Sequence, residues 1–241
     1  MSFLKIFKWY IKIRKRINLL VEESIESRDV CYKCYRPKKS CMCKYINQID
    51  TNTQFIILMH PKEYRKTKNG TGYFTHRSLS NSQVFIGIDF TKHEVINEII
   101  NDKNNNCYIL YPDEKSIKLN TTNIKEQGKT NVIFIIDATW PCSKKMLRVS
   151  KNLESLPKIS FEHTKHSAFK IKTQPNAYCL STIESTLCIL ELLNYHGIES
   201  ISQKELDGFL NPFEKMVEYQ VQCSVDSNGQ AIRYKIPYKK R

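Results

Sequence analysis

The sequence predicts an α/β protein, a parallel sheet covered by helices on both faces, with a small cysteine-rich knuckle ahead of it. Three observations predict this. Short apolar runs at 53–59, 107–110 and 132–136 alternate with helical patterns. The runs are continuous rather than alternating, as in strands buried on both faces. Four of the nine cysteines, Cys31, Cys34, Cys41 and Cys43, crowd together near the start while the other five stand singly.

Residues 1–28 place Phe3, Phe7, Tyr10, Ile13, Ile17 and Leu20 on one helical face, interrupted by Lys or Arg. The interruptions leave no apolar core for a signal peptide and nothing that spans a membrane. The segment reads as a helix packing on the body or on a partner, in preference to a basic helix lying on RNA or membrane. The knuckle occupies 29–46, the main domain 47–200, and a helical pattern with a basic tail 201–241. Within the main domain, 53–59 (TQFIILM) is a buried strand ended by His60-Pro61, and polar 61–72 is a loop. A helix over 71–80, a strand over 83–88, a helix over 94–100 and a turn over 102–106 follow. The strand 107–110 is stopped by Tyr111-Pro112-Asp113.

The most strand-like run, 132–136, leads straight into Asp137-Ala138-Thr139-Trp140. The next helix accepts Pro141 in its first turn and offers Met146, Leu147 and Val149 as apolar positions. A short strand at 159–161 precedes an amphipathic helix over 180–195. Ser181 or Thr182 opens that helix, Glu184 suits the cap, and Gly197 stops it. Leu206, Phe209, Phe213, Met216, Val217 and Gln220 form a final helical pattern, and 233–241 is a loose basic tail.

The 241 residues are 41% hydrophobic and 26% charged, which excludes a disordered chain. Seven Gly and eight Pro exclude a collagen or a flexible linker. The formal charge of +14 opposes a compact state, so it points to a polyanionic partner, even after a share is assigned to an AT-rich genome. No Walker or GxGxxG segment offers a glycine loop for phosphate.

An odd number of cysteines, unevenly spread, argues against a secreted disulfide framework. It suits a metal knuckle plus buried thiols in a reducing cytoplasm. Cys31-x2-Cys34-x6-Cys41-x-Cys43 offers four soft sulfurs to tetrahedral zinc. A four-sulfur site leaves no open position, so the metal would be structural. Lys33, Arg36, Lys38, Lys39 and Lys44 would offset its charge. The alternative is a set of unliganded surface thiols. His163 and His166 would be surplus to such a site.

Several blocks occur together in one order. They are the four-cysteine knuckle, His60-Pro61-x-Glu63, Asn69-Gly70-Thr71, Ile88-Asp89-Phe90, Leu110-Tyr111-Pro112, Asp137-Ala138-Thr139-Trp140 with Lys145-Met146-Leu147-Arg148, and Leu180-Ser181-Thr182-Ile183-Glu184. In this the chain resembles the DTW-domain proteins, the tRNA-uridine aminocarboxypropyltransferases, over residues 31 to about 195. The resemblance implies a SPOUT-like α/β domain with a knotted C-terminal part. It also implies S-adenosylmethionine as donor, and transfer of its 3-amino-3-carboxypropyl group to N3 of a tRNA uridine with release of methylthioadenosine.

That chemistry needs a donor held with its longest arm facing the base, and a carboxylate to accept the N3 proton. Asp137, where a buried strand gives way to a helix, is the candidate base; its other reading is a helix cap, a task Thr139 would take over. Trp140 either packs beneath the site or stacks on a base, and packing is the commoner role of a single Trp. Leu110, Tyr111 and Pro112, with Leu180, Ser181 and Thr182, are the donor-binding candidates, Ser181 and Thr182 also serving as caps. Lys145 and Arg148 would grip the donor carboxylate or a tRNA phosphate, or else form a solvated helix face. His60 reads as a structural hydrogen-bond partner. Basic concentrations at 12–16, 36–44, 62–68, 144–151 and 235–241 would make a tRNA footprint if they share a face.

Two other functions remain open at this level. One is an RNA methyltransferase with the same donor, its other arm facing the acceptor. The other is a zinc-knuckle RNA-binding protein without catalysis, which would bind tRNA but not the donor.

Overall fold

The computed structural model describes residues 29–66, 70–164, 167–168 and 179–226. The amphipathic segment 1–28 and the basic tail 233–241, like Asn69 and His166, lie outside the described residues. The chain divides into two units, Met1–Cys41 and Met42–Arg241.

In the first unit, strands β1 (Val30–Cys31) and β2 (Arg36–Pro37) pair antiparallel, with Cys31 opposite Arg36. The Cys31-x2-Cys34 spacing makes the turn between them. It is closed by Tyr35 N–H donating to Cys31 O at 2.7 Å.

The second unit carries a six-stranded sheet. Its strands are β3 (Gln54–Met59), β4 (Ser82–Ile86), β5 (Asn105–Leu110), β6 (Ile117–Lys118), β7 (Thr130–Asp137) and β8 (Lys158–Ser160), in the order β4-β3-β7-β5-β8-β6. Every pairing in it is parallel, so all strand ends that carry ligand chemistry lie along one edge. The helices are α1 (Pro61–Lys66), α2 (Thr71–Ser78), α3 (Glu94–Asn101), α4 (Trp140–Val149), α5 (Lys151–Glu154), α6 (Thr182–Tyr195), α7 (Gln203–Gly208) and α8 (Asn211–Asp226).

The continuous apolar strands resolve into two cores because successive side chains leave opposite faces. Phe55, Ile133, Ile135 and Ile159 meet Phe74 of α2, Ile183, Ile189 and Leu193 of α6, and Phe213 and Met216 of α8. Ile56, Leu58, Val132 and Phe134 meet Ile96 of α3, Met146 and Leu147 of α4, and Leu153 of α5. The expected α/β fold with a doubly covered parallel sheet is therefore observed.

Three local expectations are corrected. Residues 61–66 are helix α1, not loop: Pro61 sits where its fixed φ and missing N–H suit a first helical turn, and polar residues propagate a helix as readily as a loop. The final pattern is two helices, α7 and α8, because Pro212 fits a new first turn and not a helix interior. Of the five scattered cysteines only Cys107 and Cys188 are buried; Cys142, Cys179 and Cys223 are partly exposed.

Candidate active site and cysteine cluster

Strand β7 ends at Asp137, which lies opposite Met59, the last residue of β3. The next residue, His60, donates its N–H to Asp137 O at 3.0 Å, tying the two strand ends together. Asp137 is only 6% exposed, an expensive place for a carboxylate unless other groups hold it. Its Oδ1 accepts a 2.6 Å hydrogen bond from the Thr182 hydroxyl, at the opening of α6 and 45 residues further along the chain. On another side it abuts Gly72 in the first turn of α2. A methyl group at Gly72 would sit 2.6 Å from Asp137 Cγ, so the approach requires glycine. Three separate segments thus converge on one carboxylate.

The cap reading of Asp137 does not hold. The N-cap of α4 is Thr139, two residues later, and Asp137 is still strand. Thr139 takes that position with extended backbone and without a side-chain cap bond. Trp140, expected to pack, is 43% exposed and meets Tyr111 edge-on, with ring centroids 6.5 Å apart. This contact joins the loop that follows β5 to the first residue of α4.

Leu110, at the end of β5, pairs with Ile135 and Ile159. Tyr111 N–H donates to Ile159 O at 3.0 Å. Asp113 fixes the rest of that loop through a 2.7 Å bridge to Lys158. The same Lys158 bond, with an N–H from Lys115, holds the Asp113 carboxyl below its ordinary range. Pro112 therefore lies on a loop pinned at both ends.

Leu180 and Ser181 precede α6. Ser181 is its N-cap in a capping box with Glu184. Glu184 does more than the sequence suggested. Buried at 6% exposure, it accepts from Ser181 N and Oγ at 2.8 and 2.6 Å, from Ser167 Oγ at 2.8 Å, and from Ala168 N at 2.7 Å. It fixes the helix opening that carries Thr182. Sequence offered the capping box as its signal, but not the reach to residues 167–168.

His60 is buried, and its Nδ1 accepts from Lys62 N–H at 3.1 Å, which assigns the proton of the neutral ring to Nε2. Burial lowers its pKa; the charges of Lys62 and Lys145 add to this and Glu63 opposes it. Lys145 on α4 and Lys62 on α1 are therefore neighbours of the same imidazole, and both are exposed. One lysine from each of two basic concentrations thus stands at this end of the sheet. Arg148 is exposed one turn beyond. Tyr73 of α2 has its hydroxyl pKa raised by burial first, with the charge of Asp137 contributing, and its ring lies 6.2 Å from that of half-exposed Tyr64. The tyrosine pair and Gly72 were missed in the sequence. The Thr-Gly-Tyr run carries no pattern distinguishing a close approach from an ordinary helix start.

The four knuckle sulfurs lie within 4.8 Å of one another. The Sγ atoms of Cys34 and Cys41 are 3.6 Å apart. Four sulfurs about 2.3 Å from a tetrahedral ion stand about 3.8 Å from each other, so the group has the spacing to hold a metal. Hydrogen bonds from Cys34 N–H, the Cys41 side chain and Lys33 N–H push the Cys31 thiol down to about 6, toward the thiolate a metal requires. Cys43 accepts from Arg77 Nη1 at 3.2 Å. Among the described residues no histidine joins this group. No helix among them is long and apolar enough to cross a membrane.

A family model described as the DTW domain matches residues 28–221. The match includes the knuckle, the whole sheet and most of α8. A Mus musculus protein named tRNA-uridine aminocarboxypropyltransferase 2 is 26% identical over 220 residues, covering 90% of this chain and 70% of the relative. A protein of the same name from Macaca fascicularis is 25% identical, covering 83% of this chain and 66% of the relative. One from Drosophila melanogaster is 26% identical, covering 80% and 76%. No solved structure matches significantly.

Proposed function

The chain belongs to the DTW domain family, and on that premise we propose that it transfers the 3-amino-3-carboxypropyl group of S-adenosylmethionine to N3 of a uridine in tRNA. The observation that carries the reading is the Asp137 carboxylate, buried at a strand end, hydrogen-bonded by Thr182 and closely backed by Gly72.

The donor, when bound, supplies an electrophilic methylene carbon beside its sulfonium. Asp137 accepts the proton of uracil N3–H as the N3–carbon bond forms, the carbon–sulfur bond breaks and methylthioadenosine leaves. Thr182 holds Oδ1, so the acceptor faces a carboxylate in one orientation. The loops at Leu110, Tyr111 and Pro112 and at Leu180, Ser181 and Thr182 flank this carboxylate from neighbouring elements and are assigned to the donor. Trp140, exposed beside Tyr111, is the base-stacking side chain of the site. Lys145, near His60, meets the donor carboxylate or a tRNA phosphate, and Arg148 meets phosphate.

Zinc in the four-cysteine cluster is structural, since four thiolates leave no site for substrate. The SPOUT-like knotted arrangement is taken from the family resemblance, and the parallel sheet with β7 between β3 and β5 is compatible with it. An odd number of cysteines, four of them gathered in one knuckle, suits a reducing cytoplasm.

The test is nucleoside mass analysis after incubating purified protein with tRNA and S-adenosylmethionine. A uridine gaining one aminocarboxypropyl group, matched by methylthioadenosine, is the expected result. A methylated nucleoside with S-adenosylhomocysteine, or tRNA binding without donor binding, would replace the reading.

A further inference from the structure

We propose that the cysteine knuckle is a base-stacking surface on which Tyr32 and Tyr35 hold unpaired nucleotides of tRNA. This rests on the tRNA reading above and assigns a further contact region to the same substrate.

Tyr32 is 88% exposed and Tyr35 is 70% exposed. Two aromatic rings on either side of Cys34 thus stand in water, and packing explains neither. Tyr35 also has φ 55°, in the left-handed region where a bulky side chain is an outlier. The 2.7 Å bond from its N–H to Cys31 O fixes it there. Glycine or asparagine would take that conformation more easily, yet the position carries a large ring aimed at solvent.

The charge around the rings is predominantly positive. Lys33, Lys38 and Lys39 are exposed, and Asp29, bridged to Lys38 at 3.0 Å, is the one acidic residue in 29–46. The five basic residues of that segment outnumber Asp29 and the two net negative charges of a divalent ion bound by four thiolates. Exposed π faces between lysines are what binding of single-stranded RNA uses: stacking on the rings, ion pairing with the backbone. An anionic membrane would find the lysines but few aliphatic side chains to insert, Val30 being the one exposed aliphatic here.

The experiment uses the full chain with its metal, titrated with tRNA at fixed salt. The Tyr32→Ala/Tyr35→Ala variant is expected to weaken binding by about fivefold or more for each ring that stacks. Metal content and the salt slope stay as in the wild type, since no charge is removed. Tyr32→Phe/Tyr35→Phe keeps the affinity. An alanine variant that binds as tightly as the wild type, or a phenylalanine variant as weak as the alanine one, overturns the inference. If the alanine variant loses its metal, the wild type decides: tRNA is expected to slow acetylation of both tyrosines by N-acetylimidazole severalfold. Unchanged acetylation overturns the inference. So does equal protection by phosphatidylcholine–phosphatidylserine vesicles. A wild type that binds no tRNA and modifies no uridine would remove the tRNA reading itself. A wild type that modifies tRNA beside an equally tight alanine variant would remove the stacking surface alone.

Discussion

Strand β7 is polar at both ends, and the two ends are built differently. At its start, Thr130 and Asn131 border an open cavity of about 490 Å³ with Asn52, Thr53, Lys125 and Lys129. The lysines there are engaged locally: Lys129 with Glu126 at 2.7 Å and Lys125 with Gly197 O at 3.0 Å. At its end, Asp137 is buried, bonded by a helix from far along the chain, and approached by a glycine from a third segment. Space with solvated charges demands nothing of its surroundings. A buried carboxylate demands partners, because its desolvation must be offset. The comparison teaches that a carboxylate whose burial must be offset, rather than open space among solvated charges, is the sign from which the proposed site is read.

The largest expected effect falls on Asp137. Asp137→Asn keeps the shape and removes the proposed base, so transfer should drop at least about a hundredfold while circular dichroism stays native. Undiminished transfer would break the comparison at once. Gly72→Ala comes next, because the added methyl displaces the carboxylate: a loss of roughly a hundredfold in single-turnover rate is expected, with a lower melting temperature. Thr182→Val leaves a buried charge short of one donor and should cost about tenfold in kcat; Thr182→Ser should restore most of it.

A smaller effect concerns pH. Burial lowers the pKa of His60 and of His76, so the unfolded chain binds more protons than the folded one below the ordinary histidine value near 6.5. Stability is full above that value and is lost as pH falls through it toward the folded values. Melting temperature should therefore decline from pH 7 to 5, and His60→Gln should flatten part of the slope. At the other end of β7, Lys125→Ala and Lys129→Ala should change transfer by less than about twofold; a larger loss would say that the roomy end matters after all.

Much of this was legible in the residues. The apolar runs announced β3, β5 and β7 because strands buried on both faces need continuous hydrophobicity. The run of four cysteines announced the cluster because metal ligands close in sequence reach one ion easily. Asp137 stood out at the end of the most strand-like run. Other features left no local trace. The strand order, and the meeting of Thr182 with Asp137, are long-range facts without periodicity. Strand β6 has two residues, too few to show alternation. Gly72 looks like any helix glycine until the carboxylate beside it is known, and the second role of Glu184 was hidden behind its cap.

The most direct test is a crystal structure of the chain with S-adenosylmethionine bound. The expected complex holds the donor between the loops at 110–112 and 180–182, its amino-acid arm turned toward Asp137 and room beside the carboxylate for a pyrimidine. A donor seated instead at the start of β7 among Asn52, Thr53 and Lys125, with Asp137 facing neither it nor an open space, would contradict the account.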